Sequence, residues 1–272
     1  DVERSRGLGD VYKRQLSEVV VQPLQENIIS NSTQSVVLIS TQTVDEQAML
    51  NNADLSAAVP GVFVQKSQLG GGSVNLRGFE ANRVLLIVDG VRMNNAIYRS
   101  GHLQNALSLS PFFVDELELH QGPGSLLYGS DALGGVLFYK TKNIDPGSSR
   151  SKLNYAVQTQ SAANSQSYNL SYAKAWENWS SYTSLSYNLI GDLRMGKNRK
   201  HGYKDWGLVE DFINPENSLD TIIRNNTSPE IQKRTGYSQI DAIQKVAFRK
   251  IGVKYLANIQ FSSSSDVHRF DR

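Results

Sequence analysis

The stretch "GPGSLLYGSDALGGV", Gly122 to Val136, carries five glycines and a proline in fifteen residues, and its reading decides the fold. A phosphate-binding loop is excluded, because the run lacks Gly-Lys-Ser/Thr and Leu127 stands where G-x-G-x-x-G needs its third glycine. Ser125 is no nucleophile elbow either, since the position two after it is again Leu127. What remains is a backbone role. Gly122, Gly124, Gly129, Gly134 and Gly135, with Pro123 and Tyr128 between them, are expected to make tight turns and to let the chain approach a neighbouring wall.

Upstream, "VDEQAMLNNADLSAAVPGV" reads as a helix on which Val44, Met49, Leu50 and Leu55 share a face, ended at Pro60-Gly61. "NLRGFEANRVLLIVDG" then reads as a strand, a turn and a buried strand. Val84 to Val88 are continuously apolar, as in a strand covered on both faces. Asp89-Gly90 is a hairpin signal. His120 continues the alternation of "VDELELHQ" and reads as an ordinary strand residue.

Downstream, "NIDPGSSRSK" marks a linker, after which the texture changes. "KLNYAVQTQSA", "SQSYNLSYAKAWENW", "WSSYTSLSYNLIGDL", "GYSQIDAIQKVAFRK" and "VKYLANIQFSSSS" are long runs of period-two alternation. Turns are expected at Asn164, near Glu177 to Trp179 and near Lys250 to Gly252, with a long polar loop from about Asp192 to Thr235. A soluble β-sandwich and a membrane β-barrel both fit such strands. Their length and the pair Trp176 and Trp179 beside a tight turn favour the barrel, where an aromatic girdle would sit.

Composition is permissive. The 272 residues carry a formal charge of +2 with no basic stripe, which gives no sign of nucleic-acid binding. The chain has no cysteine, so thiolate metal sites and cysteine nucleophiles are ruled out. No apolar run is long enough for a membrane-spanning helix, which leaves a barrel open. The opening "DVERSRGLGDVYKRQ" is charged and aperiodic, and residues 1–15 are set aside as a non-native leader; the C-terminal "FSSSSDVHRFDR" stops without a cap, as in a piece of a longer protein.

Taken as a set, "LSAAVPGVFV", "NLRGF", "LLIVDGVR" and "GPGSLLYGSDALGGV" resemble, in order and spacing, the plug domain of TonB-dependent outer-membrane receptors, and the strands that follow look like the first barrel strands of that family. The resemblance covers about Leu16 to Arg272. It implies an α/β plug over residues 16–145, then about five strands of an antiparallel transmembrane β-barrel over residues 146–272, where the family's full barrel has 22 strands. It also identifies the plug motif positions as Arg77, Gly78, Asp89, Gly90, Gly122, Pro123, Gly124, Tyr128, Gly129, Gly134 and Gly135, and supplies the barrel interior as the wall that the glycines approach.

"SEVVVQ" (Ser17, Glu18, Val19, Val20, Val21, Gln22) resembles the TonB box, which the inner-membrane transducer TonB captures as an added strand; consecutive valines suit extension, and the alternative is an ordinary first strand. The run "YRSGHLQNAL" lies in a polar loop that the family raises toward the outer vestibule. "GHLQN" resembles the plug apex of haem receptors, so His102 is the candidate axial ligand to haem iron, with Tyr98 beside it and Arg92 or Arg99 for the propionates. A solvated loop is the plain alternative for His102, as it is for His201 and His268.

The expectation is an active importer, not an enzyme, in the outer membrane of a Gram-negative bacterium. Haem is its first candidate ligand, a siderophore the second, and cobalamin, sugar or peptide come after. No tightly bound cofactor is expected. Arg77, Arg83, Asp115, Glu116 and Glu118 are the candidates for polar contacts between plug and wall. An adhesive or signalling barrel, and a soluble α/β protein joined to a sandwich, are the competing classes.

Overall fold

The computed structural model describes residues 35–40, 49–66, 69–70, 72–80, 83–93, 109–122, 128–147, 149–196, 205, 207–217 and 220–267. His102, Tyr98, Arg99, His201, His268, Val44, Pro123, Gly124 and the segment Ser17 to Gln22 lie outside the described residues.

In the first half, five strands form one mixed sheet: β1 (Ser35–Ser40), β5 (Val84–Val88), β6 (Val91–Arg92), β7 (Val114–Gln121) and β8 (Gly135–Thr141), in the order β1-β7-β8-β5-β6. The central pair, β5 and β8, is parallel. A smaller sheet joins β2 (Val62–Gln65), β3 (Ser73–Leu76) and β4 (Phe79–Glu80). Strand β5 is buried at every position. Val84, Leu86 and Val88 face the main core, while Leu85 and Ile87 face a second cluster with Ala132 and Val136. Covering both faces is what removes alternation from "VLLIV". Asp89 and Gly90 form the expected turn, both with positive φ (48° and 89°), as Arg77 and Gly78 do (51° and 87°). Such pairs of left-handed residues match the twist of the hairpins they close.

The helix is shorter than the apolar spacing suggests. α1 spans Asn52–Ala57, and the Asn51 side chain caps it by accepting from the Asp54 amide at 3.0 Å. Met49 and Leu50 are buried but precede the cap, so they do not share a helical face with Leu55. The cap is the physical reason: with an extended backbone at Asn51, its side chain satisfies an orphan amide of the first turn and fixes where the helix starts.

In the second half, β9 (Arg150–Gln160), β10 (Ser165–Ala175), β11 (Trp179–Ile190), β16 (Tyr237–Lys250) and β17 (Val253–Ser264) form an antiparallel sheet in the order β17-β16-β11-β10-β9. Their connections fall at residues 161–164, 176–178, 191–236 and 251–252. Within the long connection are two small ribbons, β12 (Leu193–Arg194) with β15 (Ile231–Gln232), and β13 (Asp211–Asn217) with β14 (Asp220–Asn225).

The two faces of this sheet separate barrel from sandwich. The face turned to the first half is largely polar: Ser167, Asn169 and Ser171 on β10, Ser180, Ser184, Ser186 and Asn188 on β11, and Gln239, Asp241 and Lys245 on β16 are all buried. The opposite face is apolar and open: Leu153, Tyr155, Val157, Tyr168, Leu170, Tyr172, Leu185, Tyr187, Leu189, Ile259 and Phe261 are exposed. A sandwich in water puts its apolar face inside. This sheet does the reverse, as the wall of a barrel in lipid does. At one end of the apolar face Trp179 packs on Phe248 with ring centroids 4.5 Å apart, Tyr255 continues the stack, and the Lys174 ammonium lies 4.9 Å from the Trp176 ring. The end of the sheet that carries turns 176–178 and 251–252 is therefore an aromatic rim.

Candidate functional site: the junction of plug and wall

The first domain is seated on the wall through a mixed seam. Tyr182 of β11 and Ile243 of β16 join the domain's own core beside Leu117, Leu137 and Tyr139. The polar centre of the seam is Asp89, at the turn that follows β5. Its Oδ1 accepts from the Thr141 amide at 2.9 Å and its Oδ2 from the Thr141 hydroxyl at 2.6 Å. Two wall strands reach the same carboxylate: Lys245 Nζ lies 3.0 Å from Oδ2, and Asn258 Nδ2 donates to Oδ2 at 2.7 Å. Lys245 also donates to the Thr141 carbonyl at 3.0 Å, and its side chain is 4% exposed. A charge buried to that degree is stable only when paired and hydrogen-bonded, and this one is both.

Around this centre are further links. Ser110 Oγ donates to Ser186 Oγ at 3.1 Å. Asp145, in the segment leading to β9, pairs with Lys254 and lies 3.8 Å from Arg249. An open cleft of about 1520 Å³ runs between Asp115, Lys142 and Asp145 on one side and Asn154, Asn169 and Tyr182 on the other.

The charged residues expected at the seam are mostly used elsewhere. Glu118 accepts from Lys140 and from His120, the latter at 2.8 Å, and Glu116 accepts from Lys140 at 3.2 Å. All of these groups belong to β7 and β8 of the plug's own sheet. Burial alone would raise the Glu118 pKa, but the hydrogen bonds from His120 and Lys140 outweigh it and hold the carboxyl below its ordinary value. Arg77 donates to Gln121 within the same domain, and Arg83 is exposed. Asp115 lines the cleft across from Tyr182 and is the one of the five placed against the described wall strands.

Gly134 and Gly135 approach something other than the wall. A Cβ on Gly134 would fall 2.4 Å from Cβ of Phe79, and one on Gly135 2.4 Å from Leu76 Cδ2 and 2.8 Å from the His120 carbonyl oxygen. The close neighbour is the hairpin of β3 and β4, inside the domain. Gly122 and Gly129 adopt positive φ (101° and 96°), as turns require. Arg92 is already engaged: its guanidinium lies 2.6 Å from Asp131. A ligand carboxylate at Arg92 would compete with that pair. Among the described residues no group of three or more His, Cys, Asp or Glu side chains is placed to hold a metal ion.

Sequence reasoning singled out Asp89 for its turn and missed its partners. Lys245 and Asn258 carried no signal beyond being polar residues on the inward phase of β16 and β17.

A small α/β domain docked on the polar face of a sheet whose other face is apolar defines a plug seated on the wall of a membrane barrel. Comparison with known proteins agrees. Residues 29–136 match the TonB-dependent receptor plug domain family. A hemin receptor of Yersinia pestis is 37% identical over 129 residues, 46% of this chain and 18% of that protein. The vitamin B12 transporter BtuB of Vibrio vulnificus is 40% identical over 104 residues, 37% of this chain and 16% of that protein. The ferric enterobactin receptor PfeA of Pseudomonas aeruginosa superposes with a TM-score of 0.57 at 18% identity, over 85% of this chain and 33% of that one. The chain thus spans less than a fifth of the length of these sequence relatives. The plug domain and the antiparallel strands after it have the fold of that enterobactin receptor, and over residues 29–136 the chain is similar to the plug domain family of the TonB-dependent receptors. That family is one of receptors and transporters, not of enzymes.

Proposed function

We propose that the chain is the plug, over residues 16–145, and the first wall strands, over residues 146–272, of an outer-membrane transporter of a Gram-negative bacterium that imports an iron complex, driven by TonB. The observation that carries this reading is the inverted sheet: a polar face gripping the plug and an apolar face left for lipid. No reaction is catalysed in it. The plug binds ligand at its apex, and release requires the plug to shift against the wall at contacts such as Asp89 with Lys245.

Haem is the ligand this reading puts first. Its support is "GHLQN", where His102 would supply a neutral imidazole to iron. The 37% identity to a hemin receptor is weighed against 40% to a vitamin B12 transporter, so overall likeness does not choose between them. A siderophore is the second reading. The test is haem titration of a full-length receptor containing this chain and of its His102→Ala variant, read in the Soret region. A weakened, shifted spectrum in the variant supports haem; identical spectra and affinities in both remove His102 from the site.

TonB capture is assigned to Ser17 to Gln22. Deleting those residues should abolish uptake and leave ligand binding intact; uptake that survives the deletion contradicts it.

A further inference from the structure

The seam contains a second polar centre, distinct from Asp89 and independent of which ligand is imported. Asp241, on the inward face of β16, is 1% exposed. Its Oδ1 accepts from Ser262 Oγ at 2.6 Å and from Gln239 Nε2 at 2.8 Å, while Oδ2, also buried, has no hydrogen-bond partner. No basic side chain is paired with it among the described residues: Lys245, four positions along the same face, is spent on Asp89 and the Thr141 carbonyl.

The plug presents a matching oxygen. Asn52, also 1% exposed, donates its Nδ2 to the Leu109 carbonyl and leaves Oδ1 buried without a donor. Two contacts bracket Asn52 against this part of the wall. On one side, Asn51 Nδ2 and the Tyr237 hydroxyl both donate to the Leu69 carbonyl, at 3.2 and 3.4 Å. On the other, Ser110 Oγ donates to Ser186 Oγ, and Ser186 is the cross-strand partner of Asp241. Cross-strand neighbours stand about 5 Å apart at Cβ. The edge Asn51, Asn52, Leu109, Ser110 therefore lies along the wall row Tyr237, Gln239, Asp241.

Two buried acceptors on opposite sides of one seam, one of them a carboxylate, call for a donor or a positive species. We propose that Asp241 and Asn52, with the Ser186 and Ser110 hydroxyls, form a binding site for a small monovalent cation such as sodium that ties plug to wall. The donor set selects the ion class. All the atoms are oxygens, which suits a hard cation. One carboxylate among neutral oxygens balances a single charge, whereas a divalent ion would leave net positive charge buried. Ser186 Oγ accepts one hydrogen bond and keeps a second lone pair for the ion. A lone proton on Oδ2 is the competing solution, and it would neutralise the acid without using the hydroxyls.

The test uses a full-length receptor containing this chain, in detergent, unfolded by heat in sodium chloride or in choline chloride at equal ionic strength. Sodium is expected to raise the Tm by about 2 °C, and the Asp241→Asn variant to lose that response. An equal sodium response in variant and parent overturns the site, as does a parent that responds to pH but not to sodium. Should Asp241→Asn fail to fold, anomalous diffraction from the unaltered receptor soaked in thallium(I) decides: a peak between Asn52 and Asp241 is expected, and its absence overturns the proposal.

Discussion

Asp89 of the plug and Lys245 of the wall form an ion pair 3.0 Å long, with side chains 14% and 4% exposed, and the same carboxylate gathers Thr141 and Asn258. The pair joins the turn after β5 and the end of β8 to two strands of the wall, so the two central strands of the plug are held at one point. Removing either partner leaves the other charge buried and unpaired. Asp89→Asn and Lys245→Met should each destabilise plug docking by about 3–5 kcal/mol, and the double variant by less than the sum. Urea titration of plug release in the full-length receptor measures this; additive losses would mean that the two charges do not interact.

Gly135 should tolerate no side chain. Its φ is 152°, and an added Cβ would meet Leu76 and the His120 carbonyl oxygen well inside contact distance. Gly135→Ala is expected to cost more than about 1 kcal/mol, because the backbone oxygen cannot move aside as a flexible side-chain tip could. Gly147→Ala is the control: φ is positive there too (112°), but no atom lies within 4 Å of the added Cβ. Equal thermal shifts in the two variants would count against the packing argument.

Glu118 makes the plug acid-sensitive in a defined direction. Its pKa is lowered in the fold from an ordinary value of 4.5, so its contribution is fully present above that value and is lost as pH falls through the lowered one. Glu118→Gln should flatten the acid limb of the stability curve and leave its behaviour near neutral pH with a constant offset. A Glu118→Gln receptor with an unchanged acid limb would show that other carboxyls carry it.

Tyr139 is fully enclosed, and burial pushes its phenol up to about 12, while its hydroxyl is 2.7 Å from Ser56 Oγ. Ser56 also donates to the Asn52 carbonyl at 2.7 Å, so it keeps a partner when the phenol is removed. Tyr139→Phe should therefore cost only about 1 kcal/mol, whereas Tyr139→Ala should cost about 3–5 kcal/mol through the cavity it leaves. Thermal unfolding of the two variants checks the order.

How far the sequence was legible follows from the range of each interaction. The continuous run Val84 to Val88, the turn at Asp89-Gly90 and the long alternating strands are set by neighbours in the chain, and each is found where the pattern puts it. Alternation also separates the inward residues of β10, β11 and β16 from the outward ones. It does not say which inward residue meets which plug residue. Lys245 and Asp89 are far apart in the chain, and only the fold brings them together. Glu116 and Glu118 look equally suited to a wall contact, yet Lys140 on the adjacent strand β8 takes them both. Gly134 and Gly135 announce a close approach without naming the approaching group, which is Phe79 and Leu76 of the plug itself. For ligand choice the weight rests on His102, which lies outside the described residues.

The most direct test of the account is the environment of adjacent residues on β11. The chain has no cysteine, so single cysteines can be placed without background. In a full-length receptor in outer-membrane vesicles, a nitroxide on Leu185→Cys, whose side chain is on the apolar open face, should collide with dissolved oxygen and be shielded from a water-soluble nickel complex. One on Ser184→Cys, on the face that grips the plug, should be shielded from both. A Leu185→Cys label that collides freely with the nickel complex would place that face in water and contradict the wall of a membrane barrel.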